Sequence, residues 1–204
     1  MGNGVGETEV ELRDGTRVRV RPIRPSDRGM VLAGFERLSE RSRYRRFLSA
    51  TPRLSQPLLT YLTEVDQHDH VALIAVHEPS GEAAGVARFV REEHQSDAAE
   101  AAITVVDDWQ GRGLGTRLLD LLADRAHEEG IARFTATLLA ENREMLDMFE
   151  ALGPVQVVDR NAGTIEIVAE LPDQGAGPDL REMLRMAARQ PVRMAQRLGL
   201  TRDE

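Results

Sequence analysis

The segment DDWQGRGLGTRLLD (107–120) places Gly111, Gly113 and Gly115 within five positions, with Arg112 between the first two. Leu114, Leu118, Leu119, Leu121 and Leu122 then follow at helical spacing. Glycine costs backbone entropy, so such density asks for a function at this point of the chain. A strand, a bare turn and a helix N-terminus together form an anion site: unpaired N–H groups converge there and the helix dipole favours negative charge. Glycines remove the side chains that would hold a pyrophosphate away from those amides, and Arg112 and Arg117 offer charge-assisted contacts. A P-loop needs Gly-Lys-Ser/Thr, and this chain contains no lysine. A dinucleotide fingerprint needs G-x-G-x-x-G, whereas the spacing here is Gly111-x-Gly113-x-Gly115.

Other polar groupings carry less chemistry. His68 and His70 flank Asp69, an H-x-H pair that reads as a polar loop ahead of a strand, so no metal site is expected. Asp107 and Asp108 read as residues that set the turn, because carboxylates there would oppose phosphates. Arg41, Arg43, Arg45 and Arg46 surround Tyr44 and Phe47; they form a solvated, salt-bridged helix face or a guide for anions.

Cysteine is absent, which removes disulfides, thiolate metal sites and cysteine nucleophiles. No stretch approaches the roughly 20 apolar residues of a membrane span, and the start MGNGVGETEV lacks the basic and apolar regions of a secretory signal. These features point to the cytoplasm. The formal charge of -8 argues against nonspecific nucleic-acid binding. All 26 basic residues are arginine. That bias reads as codon usage in a GC-rich genome.

The elements that must position the glycine turn follow from periodicity. Residues 15–23 (GTRVRVRPI) alternate Val18, Val20 and Ile23 with arginine, as a half-buried strand does. Ser26 is the expected N-cap of a helix carrying Met30, Val31, Phe35 and Leu38. Short helices are expected in SERSRYRRFLS and LSQPLLTYLTEV. HVALIAVHE and AAGVARFVR read as strands around the turn Pro79-Ser80-Gly81-Glu82, and AEAAITVV (99–106) as a strand running into the glycine turn. A helix over about 113–129 ends at Gly130. Strand ARFTATLL, helix NREMLDMFEALG and a hairpin turning at Asn161-Ala162-Gly163 complete the order. The expected fold is α/β (α+β), a mixed sheet with helices on its faces. Residues 1–15 are expected to be a flexible N-terminus and 16–172 the folded domain. In 173–204 a linker precedes a basic amphipathic helix, with Arg181, Arg185, Arg189, Arg193 and Arg197 every four residues. That helix reads as one packed on its own domain, a homodimer or partner-docking contact over 178–200, or a membrane-surface element.

Gln110-Gly111-Arg112-Gly113-Leu114-Gly115 resembles Q-x-x-G-x-G, the acyl-CoA pyrophosphate loop of the GNAT superfamily of N-acetyltransferases. The order of elements from 16 to 172 agrees with that family, whose fold is a mostly antiparallel central sheet flanked by helices. RLSERSRYRRFLS, LTEVDQHDHVALIAV and VVDDWQGRGLGTRLLD are most similar to bacterial protein-lysine acetyltransferase domains.

The resemblance implies acetyl-CoA as acyl donor, with its pyrophosphate on Gly111, Arg112, Gly113, Leu114, Gly115 and Thr116. It implies that the pantetheine arm pairs with backbone of Ile103, Val105 and their neighbour Val106, together with Gln110. Asn142 matches the asparagine that contacts the cofactor arm, or is only the N-cap of its helix. Glu100 matches the glutamate that serves as general base in the lysine-acetylating branch, and its alanine neighbours offer desolvation that would raise its pKa. A strand-end glutamate facing water is the other reading of Glu100. Phe149 stands where many members carry a tyrosine that protonates the leaving thiolate, and Gly153-Pro154 replaces the family's Gly-Phe. The acceptor implied is a protein lysine. A small-molecule amine, or a non-catalytic acyl-CoA-binding module, remains open.

Overall fold

The computed structural model describes residues 6–50 and 53–172. One eight-stranded sheet runs in the order β1-β2-β3-β4-β5-β6-β8-β7. Strands β1 (Thr8–Glu11), β2 (Arg17–Pro22), β3 (His70–His77), β4 (Glu82–Glu92) and β5 (Gln95–Val105) pair antiparallel in turn. Strand β6 (Arg133–Leu139) lies parallel to β5. The hairpin of β7 (Val155–Asn161) and β8 (Thr164–Glu170) completes the sheet with β8 against β6. Helices α1 (Arg28–Glu36), α2 (Glu40–Phe47) and α3 (Gln56–Thr63) fill the connection from β2 to β3. Helix α4 (Leu114–Glu128) joins β5 to β6, and α5 (Arg143–Leu152) joins β6 to β7.

The apolar run of β3 explains why both faces are covered. Val71, Leu73 and Ala75 join the cluster that includes Leu118, Leu119 and Leu122 of α4, whereas Ala72, Ile74 and Val76 meet Met30 and Val31 of α1. A strand buried on both sides has no polar positions to alternate with. Leu114, Leu118, Leu119, Leu122, Ala123 and Ala126 of α4 are at most 1% exposed, the single apolar stripe that three- and four-residue spacing dictates. Each buried leucine contributes about 2 kcal/mol of transfer free energy. Gly130, with φ of +76°, follows the last turn of α4 as expected. No helix among the described residues is long and apolar enough to cross a membrane.

Two expectations need correction. The segment assigned to a flexible N-terminus contains β1, whose Val10 is buried against the sheet, so ordered structure begins before residue 16. Ser26 does not cap α1: Pro25–Asp27 form a short 3-10 turn, and Asp27 stands at the N-cap. The Asp27 carboxylate accepts two bonds from Arg21, at 2.7 and 2.8 Å, and a third from the Arg24 N–H at 2.8 Å. The chain divides after Leu171, and the expected linker and basic helix of 173–204 lie outside the described residues.

Burial alone would push the Asp27 carboxyl up, but the Arg21 and Arg24 donors outweigh it and hold the group below its ordinary value of 3.8. The stabilisation is therefore complete above that value and is lost as pH falls through the lower folded-state value. Asp27→Ala should cost about 3 kcal/mol at pH 7, because it leaves Arg21 uncompensated. Urea unfolding should show the gap to wild type narrowing once pH drops below 3.8.

Candidate active site

Strand β5 reaches Val105, a short turn covers Asp107–Trp109, and Gly111 and Gly113 then adopt φ of +73° and +88°. Gly113 is the N-cap of α4 in the left-handed region, where a side chain is strained. Gly115 answers a different need: a Cβ there would lie 3.0 Å from Met148 Sδ and 3.6 Å from Val105 Cγ2. The N–H groups of Gly111, Arg112, Gly113, Leu114, Gly115 and Thr116 have no acceptor among the described residues. Leu114, 1% exposed, anchors this first turn while those amides stay available to an anion.

Two arginines stand beside the turn. The Arg112 side chain pairs with Asp14 at 3.0 Å and lies over the Trp109 ring at 5.0 Å, while its carbonyl accepts from the Arg13 N–H at 3.1 Å. Its guanidinium is held by the β1–β2 loop. Arg13 also stands at the turn: its Nε would lie 3.2 Å from a Cβ at Gly113, and it forms no ion pair among the described residues. The sequence analysis missed Arg13, although the Asp14-Gly15 pair that follows it is a hairpin signal.

Strands β5 and β6 stay paired over three residues only, ending at Glu100↔Thr135, although β5 continues to Val105 and β6 to Leu139. Backbone groups alternate along a strand. Asp97 O accepts from Ala132 N beside β6, whereas Val106 N donates to Ala84 O at the β4 side. The even register between β4 and β5 carries that alternation through residues 99–105. Ile103 and Val105 therefore direct their N–H and C=O toward the gap where β6 has departed. The Val106 backbone is already engaged: its N–H binds Ala84 O and its carbonyl accepts from Trp109 N at 2.8 Å. Gln110 is engaged as well. Its Nε2 lies 3.0 Å from Val105 O, 3.2 Å from Asp107 Oδ1 and 3.3 Å from Ser42 Oγ, so the side chain braces the turn.

Glu100 lies at the last β5–β6 rung, between Val90 of β4 and Thr135 of β6. It is exposed, contrary to the expected desolvation, because Ala99 and Ala101 face α4 while Glu100 points from the opposite face. It borders an open depression of about 320 Å³ with Glu92, Thr135, Thr137 and Glu166. Thr135 donates to Glu92 at 2.7 Å.

Asn142 is 6% exposed at the N-cap of α5, and its side chain makes no capping bond. Phe149, 1% exposed, belongs to the core with α4 and presents no polar atom. Asp107 sets the turn as expected, accepting from Ser39 N at 3.1 Å. Burial raises its pKa, but the Ser39 and Ser42 donors outweigh that and hold it below the usual carboxylate range. Asp108 pairs with Arg37 at 3.0 Å. The arginines of α2 are only partly a solvated face. Arg43 donates to Glu36 O and covers the Phe35 ring, Arg45 reaches Glu144 of α5 at 3.2 Å, and Arg46 turns inward.

His68 contacts Glu129, and no group of three metal-ligating side chains occurs among the described residues. His70 Nε2 accepts from the Arg88 guanidinium at 3.0 Å, which requires a neutral ring. Burial first, and the Arg88 charge second, pull His70 from 6.5 to about 4. Stability tied to the neutral ring is thus full above 6.5 and is lost as pH falls toward 4. His70→Gln, which keeps an acceptor but does not titrate, should lose about 1 to 2 kcal/mol less than wild type across that window, allowing for solvent screening. Urea unfolding at both ends of the window measures the difference.

Residues 35–153 match the acetyltransferase (GNAT) family. Over 187 residues the chain is 35% identical to Acetyltransferase Pat of Mycolicibacterium smegmatis, covering 90% of this chain and 56% of that protein. It is also 35% identical over 157 residues to an acetyltransferase of Pseudomonas aeruginosa, covering 75% of this chain and 83% of that one. Among solved structures, the GNAT domain of PAT from S. lividans aligns with a TM-score of 0.75 at 34% identity, covering 81% of this chain and 97% of that domain. The chain thus spans little more than half of the mycobacterial relative. A family match across more than half of the residues, with relatives a third identical over most of the chain, means that this chain belongs to the GNAT family of acetyltransferases.

Proposed function

We propose that the chain transfers an acetyl group from acetyl-CoA to the amine of a protein lysine, with Glu100 as general base. The observation that carries this reading is the coincidence of three features at one point of the sheet. Glu100 occupies the last rung before β5 and β6 part, the backbone of Ile103 and the Val105 N–H face the gap directly after it, and the unpaired amides of Gly111–Thr116 lie beyond. The amides and Arg13 suit the pyrophosphate, Ile103 and Val105 suit the amide-bearing arm, and the uncapped Asn142 side chain is a further polar contact for it.

An ammonium of ordinary pKa near 10.4 must lose a proton before it attacks. Glu100 accepts that proton; the amine nitrogen bonds to the thioester carbon, and the carbon–sulfur bond breaks to release a thiolate. Phe149 cannot donate a proton, so water protonates the thiolate. Positioning of the two reactants supplies much of the acceleration. The exposed Glu100 and its open depression favour a side chain on another protein's surface over a small amine that needs enclosure.

Calorimetry with acetyl-CoA should give binding in wild type and none in Gly113→Glu, which sets a carboxylate and a strained residue at the helix N-cap. Glu100→Gln should keep the acetyl-CoA Kd and lower kcat about 100-fold on a lysine peptide, read by thiol release. Unchanged turnover would remove Glu100 as the base while leaving the donor site intact. Binding without turnover on any amine would leave a non-catalytic acyl-CoA module.

A further inference from the structure

On the face of the sheet opposite α4, helices α1, α2 and α3 enclose a cavity of about 60 Å³ over β4 and β5. Its walls are apolar, with Phe35, Leu38, Leu62, Val86 and Ala102 among them. Two guanidiniums also line it: Arg46 from the last turn of α2 and Arg88 from the middle of β4. Arg88 is 5% exposed, and its bonds go to the Leu62 carbonyl and His70 Nε2, both at 3.0 Å and both neutral acceptors. Arg46 rests over the Phe47 ring at 5.1 Å and makes no hydrogen bond or ion pair among the described residues. No described carboxylate lies within ion-pair distance of either cation, and Glu100 acts on Arg46 only from farther off.

This arrangement is costly as it stands. Two positive charges repel across an apolar-walled cavity, and a buried charge without a hydrogen-bonded counter-ion is destabilising. Burial pulls Arg88 down to about 9, with Arg46 adding to the effect, and burial lowers Arg46 as well. A guanidinium is relieved most effectively by a carboxylate, which accepts its parallel N–H donors. The apolar walls select a short hydrocarbon stem behind that carboxylate, and the volume restricts it to a few carbons.

We propose that this cavity binds a short aliphatic carboxylate, its oxygens held by Arg46 and Arg88 and its stem among Phe35, Leu38 and Val86. The carboxylate is that of a free short-chain acid or of a glutamate side chain on a bound protein. Ala102 and Glu100 project from the same face of β5, about 7 Å apart along the strand, so an occupant would sit next to the depression at Glu100. The proposal concerns binding and does not depend on acetyl transfer.

Thermal unfolding of the full chain tests it, comparing sodium propionate and N-acetylglutamate methylamide with sodium chloride at equal ionic strength. At concentrations well above Kd, the fitting carboxylate should raise Tm by about 3 °C. Arg46→Met keeps an aliphatic stem, so it should abolish that rise while leaving Tm in chloride unchanged or higher. Arg88→Met should do the same where it folds, and Arg46→Met decides the matter where it does not. A rise with propionate alone identifies a free acid as the source, and a rise with the blocked glutamate alone identifies a side chain; either, or both, supports the proposal. No rise with either compound, or a rise that survives in Arg46→Met, overturns it.

Discussion

The parting of β5 and β6 after Glu100↔Thr135 is the constraint on which the rest of this molecule depends. A fully paired sheet would have consumed the backbone groups of Ile103 and Val105 in a ladder. Because β6 leaves, those groups stand at an internal edge, where an amide-bearing arm would add as a further strand would. The same parting ends the row of side chains at Glu100 and opens the depression shared with Glu92, Thr137 and Glu166. In the proposed reaction, donor and acceptor would meet at this one break in the ladder. Most proteins avoid unpaired backbone inside a sheet, which sets this break apart from the rest of the ladder.

The glycine turn extends that logic to charge. Gly113 provides a left-handed cap, Gly115 lets α4 approach Met148 of α5 and Val105 of β5, and the amides of the first turn remain unpaired as a consequence. Side chains around the turn are bound to the scaffold instead: Gln110 to Val105 O, Asp107 to Ser39 and Arg112 to Asp14. A turn braced in this way presents a fixed set of dipoles and needs little reorganisation when an anion arrives. Arg13 is the cation left beside it, carried there by a loop from the first hairpin.

On the other face the arginines of α2 divide by role. Arg45 ties α2 to α5 across the sheet's opening, and Arg43 covers Phe35, while Arg46 joins Arg88 at the apolar cavity. One basic helix therefore contributes to adhesion, to packing and to the wall of an apolar cavity. The run Arg-Tyr-Arg-Arg-Phe does not distinguish these roles, since each follows from which neighbour the helix faces.

The sequence by itself determined everything that a local period or a backbone angle encodes. Alternation marked β2, an apolar run marked β5, the leucine stripe marked α4, and the glycines marked the anion turn, because those signals are carried by residues a few positions apart. Even the missed β1 had a local trace in Asp14-Gly15. Tertiary structure alone decided which side chains met. The partner of Arg112 is 98 positions away, Arg13 reached Gly113 only through the first hairpin, and Glu100 became exposed because its alanine neighbours face the other side of the sheet. Which backbone amides are free likewise depends on where β6 diverges, and no residue of β5 announces that. Contacts of this kind are set by the summed packing of distant elements, so they exist only once the chain has closed upon itself.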